Sequence, residues 1–302
     1  MWQAEHVRGL LQAHHPESNI EIIGMSTEGD RVLDRPLYEI GGKGLFTKEL
    51  ELALLRGEAD LAVHSLKDVP MTLSAPFTLA VVMEREDPRD AWVSTKTTAW
   101  EDLPEGAIVG TSSLRREAQL RALRPDLQIR GLRGNLDTRL GKLDQGEFDG
   151  VMLAAAGLKR LGLGHRIAQY CEPNLMVPAV AQGALGIECL AERLELIELL
   201  QILSHRSTHL AVSAERALAL ELGGNCRVPL AAYGSWHDDR LHLNACFQDS
   251  KGRLLRAASE ARVTESEEAS ALGSLVASML IDQGAVAWAD KHSATWASTP
   301  SS

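Results

Sequence analysis

The sequence predicts an α/β protein whose last third is a smaller α+β domain. Up to about residue 154, short apolar runs of strand length alternate with segments of helical periodicity. From about residue 230, three strand patterns follow one another, and a long helical pattern comes after them. Alternating strands and helices are typical of a mostly parallel sheet that helices cover on both faces. The change of pattern near the end predicts a separate α+β domain.

The first alternating unit begins with an amphipathic helix in which Val7, Leu10 and Leu11 share one face. A Gly-rich turn at 41–44 then opens a second helix, which Gly57 ends in the manner of a C-cap. The elements predicted for this unit are a helix at 2–14, a strand at 19–25, a helix at 45–56, a strand at 60–64 and a loop at 65–70.

The second unit begins near Arg89 and is followed by two helices and the C-terminal domain. Its predicted elements are strands at 107–110, 127–132 and 150–154, and helices at 113–123 and 136–145. Beyond it we predict helices at 194–203, 208–222 and 265–283, and strands at 230–233, 240–247 and 254–261. The Ser/Thr/Ala-rich tail at 291–302 is predicted to be disordered.

Length and composition exclude several classes of protein. The 302 residues are 45% hydrophobic and 24% charged, which is ordinary for a globular protein. The four cysteines form no CxxC pair and the ten histidines form no ligand spacing, so we expect neither a disulfide framework nor a metal site. The start lacks the apolar core of a signal peptide, and no apolar run reaches about 18 residues, so we expect a cytoplasmic protein without a membrane partner.

The charge is distributed unevenly along the chain. A net charge of −10 argues against a general nucleic-acid binder. Between Gly110 and Arg160, however, ten Lys or Arg residues outnumber six Asp or Glu residues. This basic segment in an acidic protein indicates an anionic ligand.

Two arginine-bearing turns lie where predicted strands end and helices begin. The run Thr111–Arg116 places hydroxyls, backbone N–H groups and two arginines at a helix N-terminus, which suits an anion. A Ser N-cap followed by a solvated basic helix would give the same pattern. The second turn, Arg130–Asn135, is followed by Arg139 one helical turn later. Both turns would open at the carboxyl edge of one sheet, so together they indicate a ligand with several carboxylates or phosphates.

Two more residues are candidates for chemistry. Asp68, beside Lys67, occupies the equivalent strand end in the first unit, where a carboxylate could hold a developing cation or exchange a proton. An Asp in a loop also commonly caps its own turn. Cys226 lies in the turn 223–229, between two glycines and Pro229, where a thiol is open to reaction. A cysteine in such a turn is also often a small buried hydrophobe.

Eight motifs that occur in order along the chain resemble those of one enzyme family. They are GGKGLF at 41–46, HSLKDVP at 64–70, EREDPRD at 84–90, GTSSLRR at 110–116, LRGN at 132–135, GLKRLG at 157–162, VPAVAQGA at 177–184 and GGNCRVP at 223–229. With these motifs the chain, from residue 2 to about residue 283, resembles the porphobilinogen deaminases, or hydroxymethylbilane synthases, of tetrapyrrole biosynthesis.

The resemblance implies a transferase that joins four porphobilinogen molecules head to tail, with loss of ammonia, to give 1-hydroxymethylbilane. It implies a dipyrromethane cofactor, one per chain, held by a thioether to Cys226 and serving as the primer for the growing chain. Each pyrrole carries an acetate and a propionate, which gives a chemical reason for the arginines. Asp68 matches the catalytic carboxylate of the family, which would stabilise an azafulvene-type cation after ammonia leaves.

The same resemblance assigns the remaining site residues and the partners. By motif match, the cofactor is expected to contact Lys43, Lys67, Asp68, Ser113, Arg115, Arg116 and Arg139, and the substrate is expected to contact Ser113, Arg133, Arg139 and Arg160. The expected partner is porphobilinogen, with no nucleic acid, and the protein is expected to be a monomer.

The resemblance also implies a three-part organisation. It predicts two α/β lobes like those of type II periplasmic binding proteins and a small α+β C-terminal domain that carries Cys226. The expected boundaries are 1–85 with about 184–203 for domain 1, 89–180 for domain 2, 206–290 for domain 3 and 291–302 for a disordered tail.

One departure from the family concerns the start of the chain. Family members begin with a strand and a loop that bears an Arg and a Ser, just before the Trp-Gln-Ala matched by residues 2–4. We therefore expect domain 1 to expose a sheet edge and the chain, as written, to have weak or no activity. Two rival interpretations are a non-catalytic two-lobed protein that binds polycarboxylates and an inactive truncated paralogue. Both rivals predict an unmodified thiol at Cys226.

Overall fold

The computed structural model describes residues 1–27, 29, 46–224 and 228–286. The Gly-rich turn at 41–44, which includes Lys43, the residue Cys226 and the predicted tail at 291–302 lie outside the described residues. No helix in the described part is long and apolar enough to cross a membrane.

The described residues form eight α-helices and eleven strands. The helices are α1 (Trp2–His14), α2 (Lys48–Leu55), α3 (Leu114–Leu123), α4 (Leu136–Asp144), α5 (Ala155–Arg160), α6 (Leu194–Leu200), α7 (Arg206–Glu221) and α8 (Ser266–Asp282). The strands are β1 (Ala62–Ser65), β2 (Phe77–Val82), β3 (Asp90–Val93), β4 (Ile108–Gly110), β5 (Gln128–Arg130), β6 (Gly150–Ala154), β7 (Gln169–Cys171), β8 (Leu185–Leu190), β9 (Leu230–His237), β10 (Arg240–Gln248) and β11 (Leu254–Arg262).

Lobe 1 consists of the sheet β1-β8-β2 with α1, α2 and α6. Its middle strand, β8, pairs antiparallel with both neighbours and comes from far later in the chain. Val7 and Leu11, one helical turn apart on α1, are buried against Ile187 of β8. At the end of α2, Gly57 has a φ of +67° and Glu58 N–H donates to Ala53 O, which is the C-cap predicted for this helix.

Lobe 2 consists of residues 90–171 and holds a five-stranded mixed sheet in the order β5-β4-β6-β3-β7. Strands β5, β4 and β6 run parallel, whereas β3 pairs antiparallel with β6 and β7. Separate hydrophobic clusters cover its two faces: Val151 and Leu153 of β6 face one cluster, and Met152 faces the other. The predicted cover on both faces is confirmed for this sheet.

The C-terminal domain consists of residues 206–286 and packs α7 and α8 on the antiparallel sheet β9-β10-β11. The two helices approach closely at Gly273, where a Cβ would lie 2.3 Å from Ala214 O. A side chain at this position would therefore force the helices apart.

Two crossover segments join lobe 1 to lobe 2: 83–89 leads out and 172–184 leads back. They touch backbone to backbone, since Glu86 N–H donates to Gly183 O at 3.1 Å. Next to this contact, Met83 N–H donates at 3.0 Å to the O atom of Leu185, the first residue of β8. Gly183 has a φ of +90°, and a Cβ there would lie 2.3 Å from Glu86 O. Only glycine suits both the backbone conformation and the close approach.

The predicted α/β class and the α+β C-terminal domain are confirmed, with two corrections. The expectation of mostly parallel sheets was wrong, because the described strand pairs of lobe 1 are antiparallel and lobe 2 is mixed. The strand predicted at 19–25 does not form: Ile20 and Ile22 are half-buried in alternation, as a strand requires, but the segment has no ladder to a described strand. The predicted domain boundaries stay a prediction.

Candidate active site

A cleft of about 350 Å³ lies where the two lobes and the crossovers meet. Its wall combines the start of α1, the end of β1, the first turns of α3 and α4, helix α5 and the second crossover. The lining residues are Met1, Trp2, Gln3, Ser65, Lys67, Arg116, Gly134, Asn135, Leu136, Arg139, Leu153, Ala154, Ala156, Gly157, Arg160, Leu161, Gln182, Gly183 and Ala184.

The charged side chains of this cleft are all of one sign. Lys67 comes from lobe 1, while Arg116, Arg139 and Arg160 come from three helices of lobe 2. Among the lining residues that the structure describes, none is an Asp or a Glu. Four convergent cations make the cleft selective for an anion, and most of all for one with several negative groups.

Asp90, at the start of β3, organises the arginines of α3. Its fully buried carboxylate accepts two hydrogen bonds from Arg115, at 2.7 and 3.0 Å, and two from Arg116, at 3.0 and 2.8 Å. Gln182 of the second crossover donates a fifth, at 2.9 Å. Burial alone would raise the pKa of Asp90, but the two guanidinium groups hold it well below its usual range. Asp90 therefore remains ionised and ties lobe 2 to the crossover.

Two residues predicted from the sequence as cofactor contacts do not line the described cleft. Arg115 is buried, with its guanidinium bound to Asp90 and to Val177 O at 2.7 Å. Ser113 is the N-cap of α3, where its hydroxyl accepts from Arg116 N–H. The pair of adjacent arginines thus has two different environments: Arg116 reaches the cleft, and Arg115 supports Asp90 from behind. Direct contact of Arg115 and Ser113 with a ligand stays a prediction.

Lys67 and Asp68 lie in a single 3₁₀ turn, Leu66–Asp68, directly after β1. Both residues are exposed, and Lys67 lines the described cleft whereas Asp68 does not. Protein atoms around the Lys67 ammonium nevertheless desolvate it, which lowers the pKa of Lys67, and the nearby charges of Arg116 and Arg139 lower it further. Asp68 acts in the opposite direction on the pKa of both Lys67 and Arg139. The Asp68 carboxylate therefore lies within electrostatic range of two cleft cations.

The arginines of α4 and α5 are held by backbone carbonyls. Arg139 donates to Gly134 O at 2.8 Å, and burial, with the charges of Arg116 and Arg133, lowers the pKa of Arg139 to about 10. Arg133 is half-buried beside it and does not line the described cleft. Arg160 donates to Gly183 O at 2.7 Å and lies over the ring of Trp2, 5.9 Å from its centre.

Three polar residues of the cleft were missed by sequence reasoning. Gln3 on α1 donates to the Ser65 hydroxyl at 2.6 Å, and Gln182 reaches Asp90 from the second crossover. Ser65 had a usable signal, because it stands at the end of the same strand that delivers Lys67 and Asp68. Gln3 had none, since a glutamine in the first turn of an amphipathic helix is ordinary surface composition.

The described cysteines are poor nucleophiles. Cys171, Cys189 and Cys246 are buried, and burial raises the pKa of Cys171 to about 12 and the pKa of Cys246 to about 11. A thiol with a raised pKa carries little thiolate at neutral pH. The predicted anchor, Cys226, lies outside the described residues, as does Lys43. The described part of the chain holds no group of three or more side chains arranged for a metal ion.

The fold and the cleft define a two-lobed protein with a site for a small polyanion, and comparison with known proteins gives the family. Residues 1–198 match the family model for the porphobilinogen deaminase dipyromethane cofactor binding domain, and residues 209–282 match that for the porphobilinogen deaminase C-terminal domain. The porphobilinogen deaminase of Paraburkholderia phytofirmans is 56% identical over 287 residues, which cover 95% of this chain and 84% of that protein. The enzyme of Chromobacterium violaceum is 56% identical over 285 residues, or 94% and 92% of the two chains.

Similarity to solved structures is more distant. A nutrient-binding protein from Burkholderia cenocepacia, bound to methionine, aligns with a TM-score of 0.42 at 13% identity and covers 65% of this chain and 85% of that one.

The chain belongs to the porphobilinogen deaminase family. Its predicted fold class, two lobes of the type II periplasmic-binding-protein kind with an α+β C-terminal domain, is confirmed by the family match and the observed layers. The family joins porphobilinogen molecules head to tail to give hydroxymethylbilane in tetrapyrrole biosynthesis, and it uses a dipyrromethane cofactor.

Proposed function

We propose that the cleft between the lobes is where this chain polymerises four porphobilinogen molecules with release of ammonia. The observation that supports this most is the set of four cations, Lys67, Arg116, Arg139 and Arg160, with no carboxylate among the described lining residues. Porphobilinogen carries an acetate and a propionate, so every elongation step adds two carboxylates that such a cleft can bind. Guanidinium groups bind carboxylates through paired hydrogen bonds.

The donor set of the cleft fits the dipyrromethane cofactor. The cofactor carries four carboxylates, and we assign Lys67, Arg116 and Arg139 of the cleft to them. Incoming substrate would bind Arg160 and Arg133 and share Arg139. Arg115 and Ser113 support this set by fixing Asp90 and the start of α3. The further contacts proposed for the cofactor are the thioether to Cys226 and the side chains of Lys43 and Asp68. When bound, the cofactor supplies the primer to which the first substrate is joined.

Asp68 is the proposed catalytic carboxylate. When ammonia leaves porphobilinogen, the C–N bond breaks and a positive charge spreads over the methylene carbon and the pyrrole ring. A carboxylate close to the ring nitrogen stabilises that charge and then takes up the proton that the new C–C bond displaces. The carboxylate acts on the charges of Lys67 and Arg139, since it raises the pKa of both groups, so it lies close to the cations that would hold the substrate.

We further propose that the protein works as a cytoplasmic monomer without a nucleic-acid partner. The net charge of −10 supports the last point, since it repels a polyphosphate chain outside the cleft.

The affinity for porphobilinogen should fall at alkaline pH. The pKa of Lys67 is lowered and the pKa of Arg139 is about 10, so both groups lose positive charge at a lower pH than an ordinary lysine or arginine. We expect KM to rise at alkaline pH as pH approaches the pKa of about 10 of Arg139, before an ordinary lysine with a pKa of about 10.4 would titrate. Steady-state kinetics over this range, for wild type and for Lys67→Arg, measure the effect.

The Lys67→Arg variant is the control for this rise. Its guanidinium stays charged, so the rise in KM should begin at higher pH, while the amine of the substrate titrates equally in both proteins. Identical profiles for the two proteins would show that Lys67 does not titrate in this range.

The test of the proposed function is the covalent state of Cys226. Intact mass should show wild-type protein, made in a haem-competent host, carrying the added mass of two pyrrole units. Ehrlich's reagent should stain the denatured protein. Cys226→Ser should lose both signals and turnover, because no thioether can form.

Cys171→Ser is the matched control, since Cys171 is buried in lobe 2 with a raised pKa, and it should keep the adduct. Wild-type protein without an adduct would favour a polycarboxylate-binding protein or an inactive paralogue. An adduct retained by Cys226→Ser would place the anchor on another residue.

A further inference from the structure

The turn that carries Lys67 and Asp68 packs against the C-terminal domain. Leu66 and Val69 flank the two charged residues, and both are at most 1% exposed. They belong to the same hydrophobic cluster as Leu210 and Leu218 of α7. The turn is therefore fixed at both ends against a different domain from the one whose strand delivers it.

A single arginine of that domain holds the chain just beyond the turn. The Arg216 guanidinium, on α7, donates through Nη2 to Pro70 O at 2.6 Å and to Met71 O at 2.9 Å. The side chain is largely desolvated, and burial lowers the pKa of Arg216 to about 10. The carbonyls of Pro70 and Met71, which closely follow Asp68 in the chain, thus accept from a donor that lies 146 and 145 residues later.

The residue before Arg216 holds the two crossovers. The fully buried Glu215 carboxylate binds the Arg85 guanidinium at 2.8 and 3.0 Å and accepts from Ala181 N–H at 2.6 Å. Arg85 belongs to the outgoing crossover and Ala181 to the returning one. Consecutive residues of α7 therefore bind the crossovers and the segment after Asp68. The helix thus fixes the positions of these segments relative to one another.

We propose that Arg216 is a positioning residue, which fixes the Lys67–Asp68 turn against the C-terminal domain so that the Asp68 carboxylate keeps its place in the cleft. This inference rests on the proposed catalytic role of Asp68. Without Arg216 the turn keeps its apolar anchors but loses the bonds that hold its exit, and a carboxylate displaced by about 1 Å reacts far more slowly.

The test compares Arg216→Met with Arg206→Met. Arg206 lies on the same helix but is exposed, and its bonds to described residues go to Thr264 and Glu265 of its own domain. We expect Arg216→Met to lower kcat about 10- to 100-fold with KM nearly unchanged, as misplacement of a reacting group does. Arg206→Met should behave as wild type, and Arg216→Lys should recover part of kcat, since an ammonium can donate to one carbonyl.

A double-mutant cycle with Asp68→Glu shows whether Arg216 acts through Asp68. If it does, Arg216→Met/Asp68→Glu has nearly the kcat of Asp68→Glu alone, whereas independent losses multiply. The proposal is overturned if the losses multiply, or if Arg216→Met matches Arg206→Met while folded. A wild-type kcat for Asp68→Glu would show that turnover tolerates a shifted carboxylate and would overturn the positioning role, whereas the role of the carboxylate itself is tested separately by Asp68→Asn. If Arg216→Met does not fold, Arg216→Lys against Arg206→Lys gives the same comparison.

Discussion

Asp68→Asn should lose nearly all turnover while it keeps its fold and its bound cofactor. The substitution preserves the shape of the side chain but removes the charge that faces the developing cation and the base that accepts a proton. We expect kcat to fall by about 10²- to 10⁴-fold, the usual range for loss of acid–base catalysis. Stability should change little, because Asp68 is exposed. Steady-state kinetics, with Ehrlich's reagent to confirm the cofactor, measure the two effects separately.

Asp137→Asn is the matched control for this variant. Asp137 is an exposed acid in the first turn of α4, beside the cleft residue Leu136, and no catalytic role is proposed for it. A kcat for Asp68→Asn as high as that of Asp137→Asn would contradict the proposed role.

The loss of charge in Asp68→Asn has a second consequence. Without the anion of Asp68, the pKa of Lys67 and of Arg139 should fall further, so KM should rise from a lower pH than in wild type.

Among the variants proposed above and here, Asp90→Asn should lower the free energy of unfolding most. The wild-type carboxylate neutralises two buried guanidinium groups, and the variant leaves Arg115 and Arg116 facing each other without an anion. Breaking one partner of a buried ion pair costs about 3–5 kcal/mol. Urea unfolding should show this loss in the free energy of unfolding at neutral pH. Because Arg116 also lines the cleft, KM should rise in the same variant.

The pH dependence of the stability distinguishes the loss of this ion pair from a nonspecific destabilisation of the fold. The pKa of Asp90 is lowered in the folded protein, so its contribution is complete above its unfolded pKa of about 3.9 and is lost as pH falls toward the folded value. The difference in stability between wild type and Asp90→Asn should therefore shrink below about pH 4. Asp239→Asn, which breaks an exposed pair with Arg262, should change stability little at any pH. An Asp90→Asn protein as stable as Asp239→Asn would contradict this prediction.

The elements of this fold that the sequence predicted well are those with local causes. The helix at 2–14 follows from apolar periodicity, and the helix after Ser113 follows from its cap. Sheet direction had no such local signal. Strands β2 and β3 are joined by a crossover without a helix, so helix–strand alternation could not show that β3 runs against β6. Strand β8 was also missed, because Glu188 in its middle looks like a surface residue although it is fully buried.

The main residues of the site could be predicted from the sequence, but their separate environments could not. Strand ends and helix starts indicated that Lys67, Arg116 and Arg139 would meet, and the family resemblance added Arg160. All four line one cleft. The separate environments of Arg115 and Arg116 could not be predicted, because adjacent arginines at a helix start look alike in the sequence. Their partner Asp90 lies 25 and 26 positions earlier, and only tertiary packing brings it beneath them.

The position of β8 has a consequence for how the protein is made. All five strands of lobe 2 come from one continuous stretch of chain, whereas β8, the centre of the described sheet of lobe 1, is translated after lobe 2 is complete. On the ribosome, lobe 2 can therefore fold before β8, the strand that pairs with both β1 and β2, has been synthesised. The cleft residues Gln182, Gly183 and Ala184 directly precede β8, so its insertion also completes the cleft wall. The order of the chain thus makes the binding site one of the last parts to assemble, and cofactor loading has to follow it.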